Sequence, residues 1–249
     1  MRYLIISDIH ANLDAFDAVL EHAAGRWDRV LVLGDLVGYG AEPNAVVDRV
    51  KALEPHTVIR GNHDKAACGI DDGSQFNHVA RIAAIWTGEQ LTPENRDYLR
   101  ALPMGPVPID ELTEICHGTP FDEDHYVFGG NDAVLAMRST QRQICLYGHT
   151  HLPAIFTIAD RDMGTFGATV PDPDRAIVLP LLDHTQYLIN AGSIGQPRDG
   201  DPRAGYGVLD DEARELSLFR VPYAVQKAQQ KIIAAGLPSS LAHRLALGR

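Results

Sequence analysis

Cysteine is scarce in this chain: three residues in 249, at Cys68, Cys116 and Cys145. No two of them have CxxC spacing, and an odd count fits no disulfide framework. A reducing compartment, the cytoplasm, is the expected home. Cys116 and Cys145 lie at or within apolar runs and read as buried small hydrophobes. An excess of basic charge is missing too. Lys and Arg number 22 against 33 Asp and Glu, a formal charge of −11. That excludes the basic stripe of a nucleic-acid coat protein, so no nucleic-acid partner is expected. No run approaches the roughly 18 apolar residues of a membrane helix, so no membrane partner is expected either. Met1 to Asp8 enters a short apolar segment without a small-residue cleavage site, which reads as a strand and not a leader. There is no internal repeat and no long linker. The expectation is one domain over residues 1–249, closed by helices at about 224–247, and a homo-oligomer is compatible with it.

Within those bounds the first half alternates strands and helices. Tyr3–Ile6, Val30–Leu33 and Thr57–Ile59 read as short buried strands. Asn12 is placed to cap a helix carrying Leu13, Phe16, Leu20 and Ala23 on one face, with Gly25 as its stop. Pro43 opens a second helix with Val46, Val47, Val50 and Leu53 as its stripe. Phe76 to Gln90 is a third, with Val79, Ile82, Ala83 and Trp86 inward. Thr92-Pro93-Glu94 starts a fourth. The second half is richer in strands, at 107–109, 114–116, 144–147, 154–158, 176–179 and 186–189. A hairpin of 206–209 with 216–219 follows. Asp160 to Arg175 reads as an exposed loop or hairpin tip. The terminal helical stretch breaks at Gly236-Leu237-Pro238, and its Lys227, Lys231, Arg244 and Arg249 read as a solvated face. Such βαβ units followed by a strand-rich half predict an α/β fold of two packed sheets with helices outside.

The residues after the apolar runs carry the chemistry. The first run ends in Asp8-Ile9-His10, the second in Gly34-Asp35 and the third in Gly61-Asn62-His63-Asp64. Ile115-Cys116 leads to His117, and Leu146-Tyr147 to Gly148-His149-Thr150-His151. In open α/β sheets the carboxyl edge of the strands is where ligands bind. If Asp8-x-His10 stays extended, both side chains leave one side of the chain and reach one ion. His149 and His151 have the same gap. A carboxylate has two oxygens, so Asp35 can bridge two ions. Asp, His and Asn without thiolate suit Mn²⁺, Fe, Zn²⁺, Co²⁺ or Ni²⁺. Bound cations would also be the largest local positive charges in an acidic chain. A lone DxH or HxH is ordinary turn or surface chemistry; the weight lies in all five motifs in order.

That ordered series resembles the calcineurin-like metallophosphoesterase superfamily, and Asn190-Ala191-Gly192-Ser193 with Gln196-Pro197-Arg198 resembles the late loop of small bacterial members. The resemblance implies a four-layer αββα sandwich of two mixed sheets flanked by helices. It implies two divalent ions, Mn²⁺ foremost. Asp8, His10, Asp35 and His151 would hold the first, and Asp35, Asn62, His117 and His149 the second. Asn62 and His63 would meet the substrate. His63 would protonate the leaving oxygen, with Asp64 orienting it. In-line attack on a phosphate ester by a hydroxide held between the ions would follow.

The likeness has limits. The phosphoprotein phosphatase branch reads GDxVDRG, whereas this chain reads Gly34-Asp35-Leu36-Val37-Gly38-Tyr39-Gly40. The acid and arginine are absent, which argues against a protein phosphatase. A phosphodiesterase is the favoured expectation, a nucleotide or phosphoprotein monoesterase the alternative, and a non-catalytic scaffold of the same fold the third. Arg60 and Arg198 are candidates to approach a substrate phosphate, although surface or structural roles are the simpler reading. Asp122, Asp124 and Tyr126 are further candidates to line the pocket.

Overall fold

The computed structural model describes residues 1–159, 165–169 and 177–249. In chain order the elements are β1 (Arg2–Ile6), α1 (Leu13–His22), β2 (Arg29–Val32), α2 (Pro43–Ala52), β3 (Thr57–Val58), α3 (Asn62–Cys68), α4 (His78–Gln90) and α5 (Pro93–Ala101). Then come β4 (Val107–Pro108), β5 (Thr113–Ile115), α6 (Gly130–Arg138), β6 (Ile144–Tyr147), β7 (Ala154–Ala159), β8 (Thr165–Thr169), β9 (Ile177–Pro180) and β10 (Thr185–Asn190). The chain ends in β11 (Ala204–Asp210), β12 (Glu215–Val221), α7 (Val225–Ala234) and α8 (Ser239–Leu245).

Both sheets are mixed. One runs β3-β2-β1-β11-β12-β9 and the other β4-β5-β6-β10-β7-β8. β1, β2 and β3 are mutually parallel, as are β5, β6 and β10, while the remaining pairings are antiparallel. Side-chain alternation along each strand builds the layers. Leu4 and Ile6 of β1 join Phe16, Val19, Val46 and Val50 of α1 and α2. Tyr3 and Ile5 face the other way and meet Ile115, Leu146 and Ile189 of the second sheet. The outer face of that sheet, with Cys145, Tyr147 and Leu188, is covered by Ala133, Ala136 and Met137 of α6. The four-layer αββα sandwich is therefore present, and each fully buried Leu or Ile contributes roughly 1.5–3 kcal/mol to holding it.

Caps fall where the sequence puts them. Asn12 Oδ1 accepts from Ala15 N at 3.2 Å and Thr92 Oγ1 from Asn95 N at 3.2 Å. Four details differ. The GNHD motif opens a helix, α3, and α6 lacks a long apolar stripe to announce it. Ile82 is 38% exposed, because α4 packs through Ala80, Ala83, Ala84 and Thr87, whose small side chains allow close approach. Residues 165–169 form a strand paired with β7; the rest of the expected loop, and Ala176, lie outside the described residues. The basic face of the terminal helices is solvated only in part: Lys227 and Arg249 are exposed, while Lys231 and Arg244 are half-buried. Lys227 and Lys231 ion-pair with Asp14, and Lys231 also pairs with Glu42. No helix among the described residues is long and apolar enough to cross a membrane.

Candidate metal centre

The carboxyl ends of the parallel strands deliver the motif loops to one place. Backbone bonds lace the loops together: Asp8 N to Gly34 O at 3.1 Å, His10 N to Asp35 O at 3.0 Å, and Gly148 N to His117 O at 2.9 Å. The late loop after β10 closes over the first, with Gly195 N donating to Asp8 O at 2.9 Å and Ser193 Oγ to the same oxygen at 2.9 Å. Asn190 Nδ2 donates to Gly148 O at 2.7 Å. Asn190 and Ser193 thus act as staples between loops.

The DxH pair is not extended, contrary to the strand-alternation expectation. β1 ends at Ile6, and Asp8 and His10 have φ of 53° and 49°. Asp35, His149 and His151 are left-handed as well, at 53°, 64° and 60°. For non-glycine residues that region costs roughly 1–2 kcal/mol each. Side chains two apart converge here through tight turns, and the strain is concentrated on residues of the candidate site.

Two groups of donors result. Asp8, His10, Asp35 and His151 present ligand atoms within 4.8 Å of one another, and so do Asp35, His117 and His149. Asn62 Oδ1 joins the second group, 3.2 Å from His117 Nε2. Asp35 belongs to both groups. All the Asp and His members are buried.

The hydrogen bonds indicate what the groups lack. Nδ1 of His10, His117 and His151 bonds the carbonyls of Val37, Leu33 and Gln196 at 3.0, 2.7 and 2.6 Å. His149 uses Nε2 instead, on Asp124 O at 2.9 Å. A backbone carbonyl only accepts, so each of those nitrogens carries the proton and the other presents a lone pair. The free nitrogens then face each other, His10 Nε2 to His151 Nε2 at 3.0 Å and His149 Nδ1 to His117 Nε2 at 3.1 Å. Asp8 Oδ2 and Asp35 Oδ2 are buried with no hydrogen-bond partner. Converging lone pairs beside orphaned carboxylate oxygens, with ring tautomers fixed by outer partners, fit divalent cations.

Electrostatics agree with that need. Burial lowers His10, His149 and His151 well below the usual histidine range. Burial and the Asp35 charge push Asp8 up to about 7, against the pull of His117. His117 is the exception: Asp35, 3.4 Å away, outweighs its burial and pushes it up to about 10, so its Nε2 keeps a proton that a cation has to displace. Asp35 stays well below the carboxylate range: burial opposes ionisation, and the flanking histidines overcome it.

His63 stands beside the first group and outside both. Its ring lies edge-on to His10 at 5.0 Å, stacks on Phe76 at 4.6 Å and meets Tyr39 at 4.3 Å. Burial brings it down to about 4, although Asp35 pulls it up. Asp64 Oδ1 accepts from Val37 N at 3.1 Å and Oδ2 from Gly61 N at 3.0 Å. It ties the second and third motif loops together, so any orienting of His63 passes through the backbone. Burial and Asp35 raise Asp64 to about 7. Arg60 is spent on Glu123, at 2.9 and 3.0 Å. Tyr126 stacks on His149 with ring centroids 3.7 Å apart. The Asp124 side chain pairs with Lys65. Sequence reasoning passed over Tyr39 and Phe76 as walls around His63; the only local signal was Tyr39 following Gly38 in the second motif.

Comparison with known proteins follows the same pattern. The model of the calcineurin-like phosphoesterase superfamily domain matches residues 1–214. The chain is similar to the crystal structure of a metallophosphoesterase from Sphaerobacter thermophilus, with TM-score 0.87 and 40% identity over 100% of this chain and 99% of that one. It is 34% identical to an uncharacterized protein of Methanocaldococcus jannaschii, over 98% of this chain and 97% of that one. It is 25% identical to the Escherichia coli phosphodiesterase YfcE, over 85% of this chain and 89% of that one. The family match runs from β1 past β11 and takes in every motif loop, so the chain belongs to the calcineurin-like phosphoesterase superfamily and is a metal-dependent hydrolase of phosphate esters.

Proposed function

We propose that the chain is a binuclear metal-dependent phosphodiesterase. Asp8, His10, Asp35 and His151 hold one divalent ion; Asp35, Asn62, His117 and His149 hold the other. One observation carries this reading: two pairs of facing imidazole nitrogens, at 3.0 and 3.1 Å, flank the shared carboxylate of Asp35. The oxygen and imidazole donor set favours Mn²⁺, with Fe, Zn²⁺, Co²⁺ and Ni²⁺ as alternatives. When bound, such ions activate water and offset charge on a phosphoryl group.

The chain's own residues do the rest. Val37, Leu33, Gln196 and Asp124 carbonyls fix the histidine tautomers. Asp35 Oδ1 accepts from His63 N at 2.9 Å, which ties the catalytic ring to the bridging carboxylate. Tyr39 and Phe76 hold the ring on both sides. With its pKa near 4, His63 is neutral at pH 7 and offers an N–H to a phosphoryl oxygen. Donation of a proton to the leaving oxygen requires the substrate's negative charge to raise that value. Asn62, beside His117, is the second substrate contact. The preference for diesters draws on the Escherichia coli phosphodiesterase and on the absence of the acid and arginine of the protein phosphatases.

The test is hydrolysis of bis-p-nitrophenyl phosphate by metal-stripped protein resupplied with Mn²⁺, with Asp35→Asn as control. Metal-dependent turnover that the substitution abolishes supports the proposal. Cleavage of p-nitrophenyl phosphate alone would replace it with a monoesterase.

A further inference from the structure

Three loops and a helix meet beside the candidate metal centre. Tyr39, after β2, lies 4.8 Å from the His10 ring and 4.3 Å from the His63 ring. Tyr126, after β5, covers His149. Arg198, after β10, packs beside Tyr39. Its Nη2 donates to the Tyr39 hydroxyl at 3.4 Å, its Cζ lies 5.8 Å from that ring's centroid, and its positive charge favours ionisation of the Tyr126 hydroxyl. Gln196 Oε1, accepting at 3.0 and 3.3 Å, fixes its plane. The guanidinium is therefore held against Tyr39, the ring that itself packs on His10 and His63.

A second guanidinium joins it from α8. The Cζ of Arg244 is 5.9 Å from the Tyr39 ring centroid, against 5.8 Å for Arg198. Its Nε donates to a carboxylate oxygen of Arg249, the last residue of the sequence. Burial and the like charge of Arg198 both disfavour the charged form of Arg244. Neither arginine pairs with an Asp or Glu among the described residues, although the chain carries 33 such acids. Arg60 and Lys65, a short way off, are neutralised by Glu123 and Asp124. Two partly buried guanidinium groups sharing one tyrosine repel each other. An oxyanion between them turns that repulsion into charge-assisted hydrogen bonding.

We propose that Arg198 and Arg244 form an anion subsite beside the metal centre, which takes a second phosphate carried by the substrate in addition to the scissile phosphoryl group. The inference rests on the phosphodiesterase reading above and names its substrate class: diesters with a further phosphate on the ester arm. A plain diester bears one negative charge, which the metal ions meet; two further guanidinium groups call for more. The C-terminal helices thereby enter substrate selection.

The experiment compares ethyl 4-nitrophenyl phosphate with 2-phosphonoethyl 4-nitrophenyl phosphate on the Mn²⁺-loaded full chain. Scissile bond and leaving group are the same; only the terminal phosphonate differs. The wild type is expected to favour the phosphonoethyl ester in kcat/KM, mostly through KM, and less so as salt rises. Arg244→Gln and Arg198→Gln are each expected to shrink that preference by about tenfold, the scale of one charge-assisted contact. Arg244→Lys should keep part of it, and Arg142→Ala, at the far end of β6, all of it. A wild type that does not distinguish the esters overturns the subsite without any variant. So does a preference untouched by both glutamine substitutions, or a preference for p-nitrophenyl phosphate over both diesters. Absence of metal-dependent turnover of either ester overturns the parent reading together with the subsite.

Discussion

The Nε2 atoms of His10 and His151 lie 3.0 Å apart, each presenting a lone pair because Nδ1 is committed to a backbone carbonyl. A cation between them relieves the repulsion and binds the folded state alone. Stripping metal with a chelator is expected to lower the melting temperature, and Mn²⁺ to restore it. At free ion of about 100 times Kd the gain is about 2.7 kcal/mol, or roughly 5–10 °C for a chain of this length. Thermal melts with chelator and then with Mn²⁺, Zn²⁺, Co²⁺ or Ni²⁺ check this; identical curves would remove the cation from the account.

Asp35 and His63 should separate metal binding from catalysis. Asp35→Asn disturbs both donor groups, so bound metal and turnover are expected to fall together, affinity by at least about 100-fold. His63→Ala touches neither group. Turnover should drop by about 10²–10⁴ with metal content unchanged. Elemental analysis after dialysis, alongside kcat, gives both readouts. Metal lost from the His63 variant would place that ring among the ligands.

Gly61 passes directly beneath the Asp35 carboxylate, which the two donor groups share. A Cβ there would sit 2.1 Å from Asp35 Oδ1 and 2.5 Å from Asp35 N. Gly61→Ala is therefore expected to destabilise the fold by about 1–3 kcal/mol and to push Asp35 out of line with both donor groups. Denaturant melts and metal content measure the two effects. An alanine variant with wild-type metal content would show that the loop yields without moving Asp35.

Asp14 anchors α7 to α1 through Lys227 at 2.8 Å and Lys231 at 2.6 Å. Burial works against its ionisation, but the two lysines outweigh it and its pKa is lowered. The folded state thus binds the proton less readily than the unfolded one. The stabilisation is fully present above the unfolded value of about 3.9 and fades as pH falls through the lower folded value. Asp14→Asn is expected to cost about 1 kcal/mol at pH 7, discounted for the exposure of Lys227. The gap should close below about pH 4. Denaturant titrations at several pH values check it, and a gap constant down to pH 3 would assign the effect to packing.

The layers and the converging motifs were legible because alternation and polar residues after apolar runs are local signals. Asp8, His10, Asp35, His117, His149 and His151 each follow a strand, and the fold brings those strand ends together. The carbonyls of Leu33, Val37, Asp124 and Gln196 were not legible, since any residue supplies a carbonyl. The left-handed turns were hidden for a related reason: Asp8 and His10 carry no glycine of their own. Helix α3 escaped notice because its first residues serve the site and leave no apolar period. The ion pairs of α7 were not legible because their partners are remote; Lys231 meets Glu42 across 189 positions. A helix's own pattern says nothing of what packs over it.

β1 lies between β2 and β11, with β2 bonded on one side and β11 on the other. The first strand of the chain thus waits for one of the last before its second edge is closed. During synthesis on the ribosome, Asp8 and His10 emerge early, but the loop after β10 that clasps Asp8 arrives some 180 residues later. Such non-local closure is slow and leaves a half-formed sheet edge exposed in the meantime. The donor group built on Asp8 is therefore completed late in folding, once the loop after β10 has closed on it.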